Sequence, residues 1–188
     1  MANKTRVGGP KAGGGFYSAP AGTNMPTDCS TPLNRAFQLV GLISDDGMKE
    51  TVDRKTEDIK DWSGSIVRTV QSEYSLKLKL TFIERTDQTL KEVFGQDNVK
   101  IEDTRAGRAR TILYNEKMLE ARCFVIELQD GKNQIRKVYP NAQVTDVGDT
   151  KYVTKDVISY EVTITAYKDE HDQFQYEYDL DSDVIAGS

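Results

Sequence analysis

The run IVRTVQSEYSLKLKLTFIER, from Ile66 to Arg85, restricts the fold more than any other part of the chain. Val70, Tyr74, Leu76, Leu78, Leu80 and Phe82 share one parity and predict the core side of a pleated strand. Thr69, Gln71, Glu73, Ser75, Lys77, Lys79 and Thr81 take the opposite parity and predict a solvated face, as in an antiparallel sheet wetted on one side. Twenty residues fully extended would span about 65 Å, well beyond the usual strand. Arg68 and Ser72 interrupt the apolar parity, so a bend or bulge is expected near residues 71–73. A sheet this long has exposed edges, and unpaired edges invite association.

The flanking segments predict more strands and one helix. FQLVGLI (Phe37 to Ile43) reads as a first core strand, closed by a turn at Asp45-Asp46-Gly47. The charged stretch that follows, with Met48, Val52, Ile59 and Trp62 as its only large apolar residues, predicts a projecting, solvated hairpin or loop limb. In RTDQTLKEVFG, Thr86 or Asp87 caps a helix whose Leu90, Val93 and Phe94 share one face, and Gly95 ends it. Arg105, Arg108 and Arg110 around Gly107 mark a basic loop. RCFVIELQ and QIRKVYP predict a hairpin with a loop of more than two residues around Asp130-Gly131. AQVTDVGDTKYV and VISYEVTITAY add strands; in the second, Ile158, Tyr160, Val162, Ile164 and Ala166 alternate with Ser159, Glu161, Thr163 and Thr165. Phe174, Tyr176 and Tyr178 alternate in a further edge strand before an acidic end.

The predicted organisation is an extended N-terminal arm over 1–34, one β-sandwich domain over 35–180 with a projecting loop at 45–61 and a helix at 87–94, and a flexible tail over 181–188. The arm holds four of the five prolines and the cluster Gly13-Gly14-Gly15, with Phe16, Tyr17 and Met25 as apolar anchors. Two readings of it stay open: a short strand with a pinned loop, or a segment ordered only by a partner. The fold class expected is mostly β, an antiparallel β-sandwich or partial barrel with one short flanking helix.

Chemistry is sparse. With 30 acidic against 25 basic residues the chain repels duplex DNA on average. Cys29 and Cys123 lack any metal or disulfide spacing and are expected to be reduced thiols. His171 is the only histidine and lies in a hydrophilic turn, so no nucleophile relay is expected. The glycine cluster lacks the Lys-Ser/Thr of a phosphate loop, and DLDSD (Asp179 to Asp183) starts a calcium-loop pattern without its closing Glu. No catalytic residue, metal site or cofactor is expected. No signal-peptide core and no apolar run of about 18 residues is found, so synthesis and first folding in a cytoplasm without membrane insertion are expected. A carboxylate hydrolase lacking a motif and a β-sandwich binding module for a surface glycan or a neighbouring protein are the competing readings. The second requires an exposed aromatic cluster, for which Trp62, Tyr176 and Tyr178 are the material.

Five stretches then carry a resemblance: FYSAPAGTNMPTD (Phe16 to Asp28), Leu39 to Ser75, VFG (Val93 to Gly95), PNAQVTDVGD (Pro140 to Asp149) and YEVTITAY (Tyr160 to Tyr167). Trp62, Gly64, Val67, Arg68, Val70, Glu73 and Ser75 form the most specific string. In order and spacing they resemble the major tail tube proteins of long-tailed, non-contractile (siphovirus-type) bacteriophages, in particular those of actinobacterial phages. The resemblance implies a virion subunit, assembled in the host cytoplasm into stacked hexameric rings whose inner strands join into one barrel. It further implies a lumen that holds a tape-measure protein and later passes DNA without specific binding, with tail terminator and distal tail proteins as end partners. On this reading Asp45, Asp46, Lys49, Glu50, Arg54, Glu57 and Asp58 belong to a ring-stacking loop, and Trp62 and Arg68 are core or interface anchors. Arg68 is expected to pair with a buried or interfacial carboxylate, because an unpaired buried charge is costly. Glu73, Glu161 and Thr163 are channel-lining candidates, in a lumen expected to be net negative and so to shed DNA.

Overall fold

The computed structural model describes residues 5–150, 152 and 154–182. Its strands are β1 (Phe16–Pro20), β2 (Gln38–Leu39), β3 (Ile43–Lys60), β4 (Ile66–Phe82), β5 (Val99–Thr104), β6 (Gly107–Ile112), β7 (Arg122–Asp130), β8 (Asn133–Val147), β9 (Tyr160–Ala166) and β10 (Tyr176–Leu180), with one α-helix, α1 (Asp87–Phe94). Every strand pairing is antiparallel. The fold is mostly β and is not a closed barrel.

The charged segment before the long strand turns out to be its partner. β3 and β4 form one hairpin from Ile43↔Phe82 to Lys60↔Ile66, turned by Asp61 to Ser65, where Asp61 Oδ1 accepts from Ser63 Oγ and Ser65 N–H. Asp45-Asp46-Gly47 is therefore not a turn between strands. It lies in a register shift between Ile43 and Met48, and Gly47 supplies the left-handed φ of 70° that this bulge needs. The expected irregularity near residues 71–73 is also real, as a register shift at Lys55/Thr56 opposite Glu73 and Gln71. The apolar parity of β4 is fully buried only from Leu76 onward; Val70 and Tyr74 are half-buried, because nothing packs over the distal hairpin.

Two layers face one another across the core. One contains β2, β1, β7, the first half of β8 and β10; the other contains the second half of β8, then β9, β4 and β3. β8 is a single strand that passes from one layer to the other near Pro140. The Asp130-Gly131 loop is tighter than expected, with Asp130 paired to Asn133 across two residues. Leu76, Leu78, Leu80 and Phe82 meet Phe16, Phe124, Ile126 and Tyr139 between the layers, and the Phe16 ring abuts Phe82 edge-on at 5.4 Å. Ile158, predicted on the core side, lies before β9 and is exposed.

Helix α1 closes one side. The Thr86 hydroxyl accepts the Thr89 N–H at 3.0 Å and donates to Val40 O at 2.9 Å, so one side chain both caps the helix and ties it to the chain before β3. Leu90 and Val93 are buried. Glu92 is buried too, 3.0 Å from Arg122 and accepting from the Ser18 hydroxyl at 2.6 Å. Burial pushes its carboxyl up from the ordinary range, opposed by Arg122 and these hydrogen bonds.

The arm resolves as a strand followed by a pinned loop. Residues 16–20 are β1, paired along β7, and a side chain at Gly15 would collide with the Glu127 carbonyl. Beyond β1, Met25, Leu33 and Phe37 cover the outer face of the first layer and bury Cys123, Val125 and Val138. Burial pushes the Cys123 thiol up to about 12. Arg136, buried and paired with Glu127, donates to the carbonyls of Asp28 and, at 2.8 Å, Thr31. The predicted tail beyond residue 182 lies outside the described residues.

Asp28 gives this loop a pH signature. Its carboxylate accepts from the side chains and N–H groups of Thr31 and Ser30, and these bonds hold it well below the ordinary carboxylate range. A depressed folded value means that the turn's contribution is fully present above the unfolded value of about 3.9 and is lost as pH falls through the folded one. In an NMR titration the Ser30 and Thr31 amide shifts are expected to hold steady through pH 4 and move only in stronger acid. A midpoint near 4 would show that these bonds do not hold the charged form.

Candidate assembly surfaces

The β3–β4 hairpin is the most distinctive feature. Leu76 is the last β4 residue paired with β9, so β4 runs on past β9 for about 33 Å back to Ile66 at ~3.3 Å per residue, with only its root braced by the body. At the tip Trp62 is 105 % exposed, with Ile59, Ile66 and Val67 exposed beside it. Trp62 is thus no core anchor, because the chain supplies nothing for it to pack against. Arg68 is exposed opposite Ile59 and has no carboxylate partner among the described residues, so the expected buried pairing within the chain does not occur.

The seven loop candidates divide between the limb and its root. Asp45 and Asp46 are exposed in the bulge near the body. Lys49 sits opposite Lys79 on the solvated face. Glu50 is half-buried and accepts from the Tyr139 hydroxyl at 2.5 Å and from Lys137 at 3.3 Å, so it fastens β3 to the first layer and does not face outward. Arg54 lies over the Tyr74 ring at 5.2 Å, and Tyr74 meets Phe174 at 4.7 Å, so the 168–175 loop braces the hairpin's root. Asp169 fixes that loop by accepting from the N–H groups of His171 and Gln173 and from the Tyr176 hydroxyl. Glu57 is exposed opposite Val70, and Asp58 accepts from Thr69.

The solvated face of the second layer carries mixed charge. Glu73 pairs with Lys55 and Glu161 with Lys79, each at 2.5 Å, and Lys49 and Lys77 stand on the same face. The hydrogen bond that Lys79 donates to Glu161 raises the pKa of its ammonium. Thr163 lies between Lys79 and Asp146, and Thr165 bonds Thr145. A net-negative face is therefore not what these strands present: cross-strand neighbours supply a lysine to both acidic candidates.

This layer has two free edges among the described residues. β3 pairs only with β4, and β8 beyond Ala142 pairs only with β9. Beside the free end of β8 lies an open groove of about 650 Å³ between that strand, the end of α1 and the 113–119 segment, lined by Phe94, Leu113, Tyr114, Met118, Val147 and Tyr152 among others. Nothing periodic in TILYNEKML marks it; its only sequence signal is four large apolar residues in a loop.

The alternative chemistries lose their material. Tyr176 and Tyr178 pack against the cluster beneath the arm, so no exposed aromatic cluster forms with Trp62. Arg108 pairs with Asp87 and Asp103, and Arg110 with Asp87, so two of the three arginines of the basic loop are engaged within the chain. His171 is exposed in its turn, and Asp181 of the calcium-like run pairs with Arg6, while Asp183 lies outside the described residues.

The family of phage tail tube proteins matches residues 2–183, nearly the whole chain. The chain belongs to the phage tail tube protein family. It is accordingly a structural component of a virion tail and not an enzyme. No curated protein sequence matches it. Among solved structures, this tail tube protein is similar to a chain of the anti-feeding prophage tube-terminating cap, at 10% identity over 94% of this chain and 96% of that one, TM-score 0.45. A chain of the PVC sheath-tube complex in its extended state is similar at 14% identity over 88% of each chain, TM-score 0.46. A chain of the native gene transfer agent virion is similar at 10% identity over 79% of this chain and 92% of that one, TM-score 0.41.

Proposed function

We propose that copies of this chain join edge to edge into a closed hexameric ring, and that rings stack into the tail tube of a siphovirus-type phage akin to those infecting actinobacteria. The observation that carries the reading is the second layer: a sheet wet on one face, with β3 free at one side and the end of β8 free at the other. Head-to-tail joining of two different edges closes a ring, and closure removes the edges from solvent. The wet face, with Glu73, Glu161 and Thr163, then lines the lumen. Its alternating lysines, acids and threonines offer no sustained field to a passing polyanion, so DNA slides through without a binding phase. The limb with Glu57, Asp58, Trp62 and Arg68 makes the contact between rings. The lumen first holds a tape-measure protein and later conducts the genome. Tail terminator and distal tail proteins close the ends, and assembly takes place in the host cytoplasm. The working division is a docked arm over 1–34, the tube domain over 35–180 and a tail over 181–188.

Purified protein tests this directly. Concentration-dependent tubes in negative-stain micrographs are expected. A monomer that stays dispersed at high concentration would overturn the reading, and retention on host-surface glycans by that monomer would favour the binding-module alternative.

A further inference from the structure

We infer that the groove beside the end of β8 receives the limb tip of a second copy, with Trp62 as the inserted side chain; this rests on the tube-building role proposed above. The polarity of the sheet assigns donor and acceptor to opposite ends of the molecule. The limb leaves the body where Leu76 pairs with Ala166, while the far end of the same layer is marked by Phe82↔Tyr160 and by Val147↔Val162. The groove lies at that far end: Val147, Gly148 and Tyr152 line it, and Phe94 in its wall packs edge-on against Tyr160 at 5.8 Å. A copy placed ahead of the limb therefore presents its groove to the tip. This contact is head-to-tail and does not close, and repetition of such a contact builds a filament.

Size and the placement of two cations fit the same occupant. About 650 Å³ falls within the range of clefts that bury a compact ligand, roughly 300–1,000 Å³. An indole brings roughly 150–250 Å² of surface to bury, and the wall offers Tyr114, Met118 and Tyr152, which are 75, 78 and 70 % exposed in the isolated chain. The tip carries two cations, Lys60 and Arg68, that form no ion pair among the described residues, beside Asp58 and Asp61, whose carboxylates keep their charge while accepting from Thr69, Ser63 and Ser65. The groove and its rim carry Asp146, Asp149 and Glu116, none of them in an ion pair among the described residues, beside Lys117, so the two tip cations have acidic groups to face. Opposite charge around a desolvated aromatic anchor fixes register as well as affinity.

The chain contains one Trp, so its own fluorescence reports the contact. Emission is expected to be that of a solvated indole in the monomer and to shift to the blue as tubes form. Trp62→Ala is expected to raise the concentration needed for tubes by about thirtyfold or more, the scale of an interfacial anchor. To locate the acceptor, S63C and K117C chains are mixed, assembled and oxidised; Cys29 and Cys123 are buried, so the added thiols react. A disulfide-linked dimer is expected from S63C with K117C and not from S63C with K132C, whose site is on an exposed turn. Tubes in which Trp62 keeps a solvated spectrum, or in which S63C fails to link to K117C, would overturn the groove assignment while leaving the tube reading in place. Failure of the unaltered chain to build tubes would remove both.

Discussion

Replacing residues 56–72 by an Asn-Gly turn is expected to abolish tubes while leaving a folded, soluble subunit. The cut keeps the Lys55↔Glu73 pair, the Arg54–Tyr74–Phe174 brace and the Glu50 tether, so the body loses none of its buried contacts. Asn-Gly suits the two-residue hairpin that remains. The removed residues are almost entirely exposed, and surface changes of this kind alter stability by about 0.5 kcal/mol or less each way. The melting temperature should therefore stay within a few degrees of the full chain, against a complete loss of filaments. Melting curves paired with micrographs check both halves. Normal tubes from the shortened chain would exclude the limb from ring stacking.

Arg136→Met is expected to cost about 3–5 kcal/mol, the range found when one partner of a buried ion pair is removed. Arg136 holds Glu127 in the first layer and donates to two carbonyls of the 21–37 loop, so its loss strands a buried carboxylate and frees the loop together. Lys11, 3.1 Å from Glu127, compensates in part from a more exposed position and places the value toward the lower end. Denaturant unfolding gives the stability change. Faster tryptic cleavage after Arg35 would report release of the loop. Adding Glu127→Gln should recover part of the loss, because it removes the stranded charge. A single variant within 1 kcal/mol of the parent would show that the pair does not hold the arm.

What the sequence made legible follows from how local each signal is. Helix α1 depends on Thr86, Leu90, Val93 and Gly95, all within three turns, and could be read directly. The wet faces of β4 and β9 follow from alternation alone, and so does the mostly β fold. The hairpin partner of β4 was hidden because β3 is charged on both faces along most of its length, and a strand that packs on nothing has no apolar parity. Glu50 looks like its neighbours in the charged run; only its position opposite Leu78 turns it toward Tyr139. The outer face of the first layer is buried under the arm, and the unbroken CFVI run in β7 carries the mark of a strand buried on both sides. The groove is assembled from separate segments, and the four apolar loop residues that are its only sequence signal do not say what they line.

The passage of β8 from one layer to the other has a mechanical consequence. Force applied along the wet sheet is carried into the outer sheet through covalent bonds, so the layers cannot slide past each other without stretching a backbone. The two-stranded limb has no such reinforcement and yields more easily than the packed layers. A shaft built from these subunits would therefore bend at the joints between stiff discs, keeping the bore of each disc round while the whole curves.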